Sequence, residues 1–399
     1  MKKILHVISS TDPKWGGPIV GINQLAKSLK KNGWEIDCVN NDMPSLILDK
    51  KNQNINLYNQ GPSILKYSFS LKLIPWLKAN YQNYNLVVIN GIWQYTSFAT
   101  WKVLAGKNIP YIVFTHGMLD PWFKSKYPIK HIKKTLYWWL IERKVLQDAR
   151  YVVFTCEEEM LLARKSFKPY KINEYVIPYG INSAPTQSKS LRDHFLTKHQ
   201  NLNGKKLVLF LSRIHEKKGC DLLIEAFSEF AKKDPNLHLV IAGPDNNNLS
   251  SKLKTQASKL LISDRITWTG MIEGDEKWGA YYAADVFCLP SHQENFGIVI
   301  AEALSCGVPV LITNKVNIWR EIESAGAGII EEDTLEGTKN ALEKWLKLSP
   351  LEQLKTRQNA IECFNSNFEI SLFARSLEMI CNTSDDLCLN NLNLDSTEL

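Results

Sequence analysis

Along the first half of the chain, short apolar runs alternate with longer stretches in which apolar residues return every three or four positions. KILHVI, LVVIN, YIVFTH and YVVFTC read as buried strands, while GINQLAKSLKKNG and YWWLIERKVLQDA read as amphipathic helices. After a break the same rhythm resumes in KLVLFLS, HLVIAG, VFCLP and VPVLIT. Strands apolar on both faces and alternating with helices imply a parallel sheet covered on both sides. The break, near residues 180–204, is polar and punctuated by Gly180, Pro185 and Gly204. The pattern therefore predicts an α/β chain with an N-terminal domain over 1–180, a linker over 181–204, a C-terminal domain over 205–382 and a polar tail over 383–399. Two doubly wound domains of this kind would face each other across a cleft lined by the carboxyl ends of their strands.

Composition changes this picture little. With 399 residues, 44% hydrophobic and 22% charged, the chain can build two cores. A net charge of +7, from 48 basic against 41 acidic residues, permits an acidic partner but is far from a polycation. No nucleic-acid-binding module accompanies it, and nucleic acid is not an expected partner. The eight cysteines show no CxxC pair, and several lie in apolar runs such as VFCLP. They read as core residues of a reducing cytoplasm, with neither disulfides nor a zinc site. The opening MKKILHVISS imitates a signal peptide, but its apolar part is short, is interrupted by His6 and lacks a small-residue cleavage site, so a first strand is expected. No run approaches a membrane span, which leaves peripheral contact as the only membrane role.

Three stretches carry chemistry. SRIHEKKG, residues 212–219, puts Arg213 and Lys218 between a strand and a helix. A diphosphate there would meet two cations and the unpaired N–H groups of the helix start, although a solvated basic loop has the same composition. PSHQENFGIVIAEALSCGVPVL, residues 290–311, has Glu294 in a loop, then Gly297, then Glu302 on a helix. Two carboxylates at a strand-helix junction suit vicinal hydroxyls, and each alone would also fit an ordinary surface acid. YIVFTHGMLDPW sets His116 directly after a strand, at the end where open α/β sheets bind ligands.

SRIHEKKG followed about 75 residues later by PSHQENFGIVIAEALSCGVPVL resembles family 4 of the retaining glycosyltransferases, the group 1 glycosyl transferases. The resemblance covers most of residues 1–380 and is weaker in the first domain. It implies the GT-B architecture of two facing Rossmann-like doubly wound domains with an interdomain cleft. It also implies transfer of a sugar from a nucleotide-sugar, a UDP- or GDP-sugar, to a carbohydrate or lipid-linked acceptor in polysaccharide or lipopolysaccharide synthesis. By the same resemblance Arg213 and Lys218 bind the donor diphosphate. Glu294, Asn295, Phe296 and Gly297 contact the donor sugar, Glu302 holds the ribose, and Met271 with Ile272 receives the base. Gly16 and Gly17, in KWGGPIVGINQLAKSL, approach donor phosphate or acceptor, and His116 stands beside the reacting sugar. The catalytic set is thus His116, Arg213, Lys218 and Glu294. One segment departs from the family pattern: after VPVLIT this chain reads NKVNIWREI, without the glycine pair common there, which implies a differently shaped loop on the phosphate side.

No D-x-D occurs anywhere in the chain, so fixed cations rather than a divalent metal are expected to stabilise the leaving diphosphate, and no cofactor is expected. A nicotinamide dehydrogenase would need GxGxxG with an acid about 20 residues on, which neither half supplies. A sugar-nucleotide epimerase of GT-B-like fold and a non-catalytic sugar-nucleotide-binding protein are the remaining alternatives. Finally, FKSKYPIKHIKKTLYWWLIERKVLQDAR gathers Lys124, Lys126, Lys130, Lys133, Lys134, Arg143 and Lys144 around Tyr137, Trp138 and Trp139. That mixture fits a helix lying on an anionic membrane, or an amphipathic helix with its aromatics in the core.

Overall fold

The computed structural model describes residues 2–12, 18–44, 54–122, 124, 128–245 and 248–382. It divides into two compact units, the first from Met1–Thr155, Leu162–Gly180 and the described part of Ile370–Leu399, the second from Cys156–Leu161 and Ile181–Glu369.

In the first unit, β1 (Lys2–Val7), β2 (Trp34–Asn40), β3 (Asn56–Asn59), β4 (Leu86–Asn90), β5 (Tyr111–Phe114), β6 (Tyr151–Phe154) and β7 (Glu174–Val176) form one sheet. Its order is β3-β2-β1-β4-β5-β6-β7, and every pairing is parallel. In the second, β8 (Lys206–Leu211), β9 (Leu237–Ala242), β10 (Ile266–Gly270), β11 (Val286–Leu289), β12 (Val310–Thr313) and β13 (Gly328–Glu331) pair in parallel in the order β10-β9-β8-β11-β12-β13. The central strands β4, β5, β9 and β11 are buried throughout, as their unbroken apolar sequences require. Each sheet reverses its winding once, between β1 and β4 in the first unit and between β8 and β11 in the second. At such reversals the connections leave in opposite directions and open a crevice beyond the carboxyl ends of the strands.

The two Rossmann-like sheets match the expected architecture, with two differences in how the chain is divided. The polar stretch expected to be a linker contains the helix Ser188–Lys198, which buries Leu191 and Phe195 against the helix Gly274–Ala283. The approach is close enough that a Cβ on Gly279 would lie 2.3 Å from the Leu191 carbonyl oxygen, so only glycine fits there. Two anchors in eleven residues were too sparse to register as a periodic face. The last helix, Ile370–Asn382, belongs to the first unit rather than to the C-terminal domain. It buries Phe373, Ala374 and Leu377, with Phe373 edge-on to Phe114 of β5 at 5.7 Å. The tail over 383–399 lies outside the described residues.

Candidate functional site

At the β8–β11 reversal, two loops far apart in sequence meet. The basic loop leaves β8 at Leu211, makes a short 3₁₀ turn over Glu216–Lys218 and enters the helix Cys220–Ala231 through Gly219. His215 starts the turn by accepting the Lys217 backbone N–H at Nδ1, 3.1 Å away. Gly219 has φ 65°, and a Cβ there would fall 2.1 Å from the Pro290 carbonyl oxygen, so the basic loop lies directly on the start of the acid loop. The two loops are further joined by the His292 N–H donating to the Lys217 carbonyl at 2.8 Å.

This backbone contact sets Lys218 against Glu294 in a direct ion pair, with both side chains largely buried. Arg213 stands exposed at the mouth of the same loop. Burial, with Arg213 and Lys217 nearby, pulls the Lys218 ammonium below the usual lysine range. The Glu294 carboxylate is the side-chain partner of that ammonium. Glu294 is itself fixed by its backbone, which donates to the Lys315 carbonyl at 3.0 Å and accepts from the Asn317 N–H at 3.0 Å. The segment NKVN that departs from the family pattern is therefore the strut behind Glu294.

The other expected residues of this unit lie in the loop after Glu294, on the helix that follows it and after β10. Asn295 accepts from the Asn317 side chain at 3.2 Å, and Phe296 is buried edge-on to Phe368 at 5.6 Å. Gly297, with φ 72°, precedes the helix Ile298–Ser305, on which Glu302 is nearly buried. Lys277 donates to one Glu302 oxygen at 2.7 Å and the Tyr281 hydroxyl to the other at 3.0 Å. Each oxygen keeps a second lone-pair direction for a ligand hydroxyl. Lys277 and Tyr281 were not legible as site residues, because nothing in their spacing from Glu302 signals contact. Met271 and Ile272 follow β10, the edge strand two positions from β8; Met271 is exposed and Ile272 buried.

At the β1–β4 reversal of the first unit lies a cavity of about 700 Å³ whose lining includes Ser9, Ser10, Asp12, Asp42, Asn90 and His116. Asp42 is held by the backbone N–H and hydroxyl of Thr11, at 2.7 and 2.8 Å. His116 follows β5 in the left-handed region, φ 47°, a conformation that an L-residue adopts only when its surroundings impose it. Its Nε2 lies 3.4 Å from Asn90 Oδ1, and the Asn90 amide is 3.1 Å from His6 Nδ1. An amide donating to His6 Nδ1 requires neutral His6, and burial accordingly pulls its imidazole down to about 3. Asn90 ends β4 as His116 follows β5, so the strand-end rule that singled out His116 also marks Asn90. Gly16 and Gly17 lie outside the described residues. Among the described residues no group of three or more His, Cys, Asp or Glu side chains is arranged to hold a metal ion.

Comparison with known proteins matches each half of the chain to a family model. Residues 192–362 match the family model for glycosyl transferases group 1, and residues 16–180 match that for the glycosyl transferase 4-like domain. The mannosylfructose-phosphate synthase of Agrobacterium fabrum is 24% identical over 343 residues, 77% of this chain and 73% of that protein. The alpha-monoglucosyldiacylglycerol synthase of Streptococcus pneumoniae is 33% identical over 173 residues, 42% of this chain, and the match spans only 38% of that relative's length. Among solved structures, an Anabaena protein in complex with UDP and glucose superimposes with a TM-score of 0.74 at 16% identity, covering 96% of this chain and all of that one.

Proposed function

Because the chain belongs to the group 1 glycosyl transferases, with their GT-B fold, we propose that it moves a sugar from a nucleotide-sugar to a carbohydrate or lipid-linked acceptor, retaining the anomeric configuration and working without a metal ion. The observation that carries this reading is the Lys218–Glu294 contact at the β8–β11 reversal. It joins a cation suited to a diphosphate to a carboxylate suited to sugar hydroxyls, at the point of the sheet where α/β proteins bind ligands.

Departure of a nucleoside diphosphate leaves negative charge on the leaving oxygens while positive charge grows on the sugar ring. Arg213 and Lys218 answer the first charge. On donor binding Lys218 turns from Glu294 toward the diphosphate, which leaves the Glu294 carboxylate for the sugar. Asn295, Phe296 and Gly297 shape that sugar site, Glu302 takes the ribose, and Met271 with Ile272 takes the base. A UDP-sugar is the favoured donor, since the Anabaena neighbour is bound to UDP and glucose. The first-unit cavity, with its serines, aspartates and His116, is the acceptor side. Polysaccharide or lipopolysaccharide assembly in the cytoplasm is the setting that this chemistry fits.

The test is a thermal-shift screen of UDP, GDP and their sugars, followed by turnover of the best donor. A ligand present at about 100 times its Kd should stabilise the binding unit by about 2.7 kcal/mol. Stabilisation by a nucleoside diphosphate that is abolished in Arg213→Ala supports the reading. Equal stabilisation in that variant contradicts it. An epimer formed from donor alone would favour the epimerase alternative.

A further inference from the structure

One helical rod of the first unit carries an apolar face that none of the described residues covers. It runs through Pro128–Tyr137, a π-helical turn over Trp138–Glu142 and Arg143–Gln147. Its inner side is set by Trp138, Glu142, Val145 and Leu146, all fully buried. On the other side Ile129 is 74% exposed, Ile132 69%, Leu136 64% and Leu140 61%, with Trp139 half exposed. Those positions advance by three or four residues, so they form one stripe along the rod. The two adjacent tryptophans are split, Trp138 in the core and Trp139 half exposed.

The charge beside the stripe has one sign. From Lys124 to Lys144 the only acid is Glu142, which faces the core, whereas Lys130, Lys133 and Lys144 are exposed next to the stripe. The Arg143 guanidinium lies 5.0 Å from the Trp139 ring, a pairing of cation and interfacial aromatic. A second exposed apolar segment, Ile64 and Leu65, belongs to the loop that also gives Ser63, Leu65 and Lys66 to the lining of the large cavity. Tyr67 of that loop and Tyr137 of the rod share a hydroxyl hydrogen bond of 2.7 Å, so loop and rod are fastened together.

We propose that this rod, with the 64–65 loop tip beside it, docks the first unit on an anionic lipid bilayer, the stripe entering the headgroup boundary and the lysines meeting the lipid phosphates. Aliphatic side chains lying open in water gain by entering the bilayer boundary, and the flanking cations select a negative surface over a neutral one. Among the described residues no helix is long and apolar enough to cross a membrane, so the contact is lateral. The docking stands independently of the transfer reaction. Where that reaction uses a lipid-linked acceptor, docking sets the cavity rim at the membrane that holds it.

The test is sedimentation of the whole protein with vesicles of phosphatidylglycerol and phosphatidylcholine, and with phosphatidylcholine alone. The wild type should bind the anionic vesicles, bind neutral ones far less, and be released as salt is raised to roughly 0.5 M. Ile132→Glu with Leu136→Glu should lower the partition coefficient by about tenfold or more, with unchanged circular dichroism and thermal midpoint, because both side chains are already in water. Ile129→Ser with Leu140→Ser should act in the same direction more weakly. A wild type that ignores anionic vesicles overturns the proposal, as does a Glu double variant that binds like the wild type. So does light scattering that shows a dimer dissolved by the same variant without vesicle binding, which would make the stripe a contact between copies of the chain.

Discussion

Replacing Glu142 by Gln should flatten the dependence of stability on pH. Glu142 ends the π-helical turn and is fully buried, and one of its oxygens accepts from the Trp93 N–H at 3.1 Å and lies 3.4 Å from the Ser97 hydroxyl. The other is buried without a hydrogen-bond partner among the described residues. Burial pushes this acid from an ordinary 4.5 up to about 8, against the opposing pull of Trp93, Ser97 and the Lys134 charge. Between those values the folded protein holds a proton that the unfolded chain releases, so stability falls as pH rises, by about 1.4 kcal/mol per pH unit. Below the window both states are protonated and above it both are ionised, so no further change comes from this group outside it. Across the window the loss comes to roughly 5 kcal/mol. The glutamine of the variant has no proton to lose, and its amide adds a cost that does not vary with pH. The difference between variant and wild type should therefore grow in favour of the variant from pH 5 to pH 8. Urea unfolding of both proteins, followed through the transition of the first unit, reads that difference while other titrating groups cancel. Curves that stay parallel from pH 5 to pH 8 would show that Glu142 is ionised in the folded protein and that the reasoning is wrong.

Other outcomes follow from the second unit. Arg213→Ala and Lys218→Ala should each weaken nucleoside diphosphate binding by about tenfold or more and slow turnover, since a lost charged hydrogen bond costs roughly 1.5 to 3 kcal/mol; titration calorimetry beside steady-state kinetics measures both. Glu294→Gln should leave that binding unchanged or tighter, because Lys218 loses its competing partner, while lowering kcat. A loss of affinity as large as that of Arg213→Ala would refute this division of roles. Gly219→Ala should destabilise the second unit by roughly 2 to 4 kcal/mol, given its left-handed backbone and the 2.1 Å approach to Pro290, as denaturant unfolding would register. Tyr281→Phe should cost about 1 kcal/mol in the same assay by leaving a Glu302 oxygen without its donor.

What the sequence disclosed and what it withheld have separate physical causes. Central parallel strands are apolar on both faces, so LVVIN, YIVF, HLVIA and VFCL were legible as runs. β2, WEIDCVN, was not, because it carries Asp37, buried and satisfied by the Tyr84 hydroxyl and the Asn56 amide, each at 2.8 Å. β3 and β7 were hidden because edge strands are short and half exposed. In the candidate site, Arg213, Lys218, Glu294 and Glu302 could be named as candidates because each sits at a strand-helix junction, and the family resemblance supplied their expected roles. Lys277, Tyr281 and Asn90 reach their partners only through the tertiary fold. The basic helix left two readings open, and no periodicity could choose between them: its inner face of Trp138, Val145 and Leu146 is as apolar as its outer stripe. Burial of one and exposure of the other appear only when the rod is laid on its unit.

The measurement that tests the central claim most directly is proton NMR of the whole protein with a UDP-sugar and candidate saccharide or lipid-linked acceptors, in the presence of EDTA. The account predicts nucleoside diphosphate released only when an acceptor is present, together with a new glycosidic signal whose anomeric configuration matches that of the donor. Epimerised donor without acceptor, an inverted product, or turnover that stops in EDTA and returns with magnesium would contradict it.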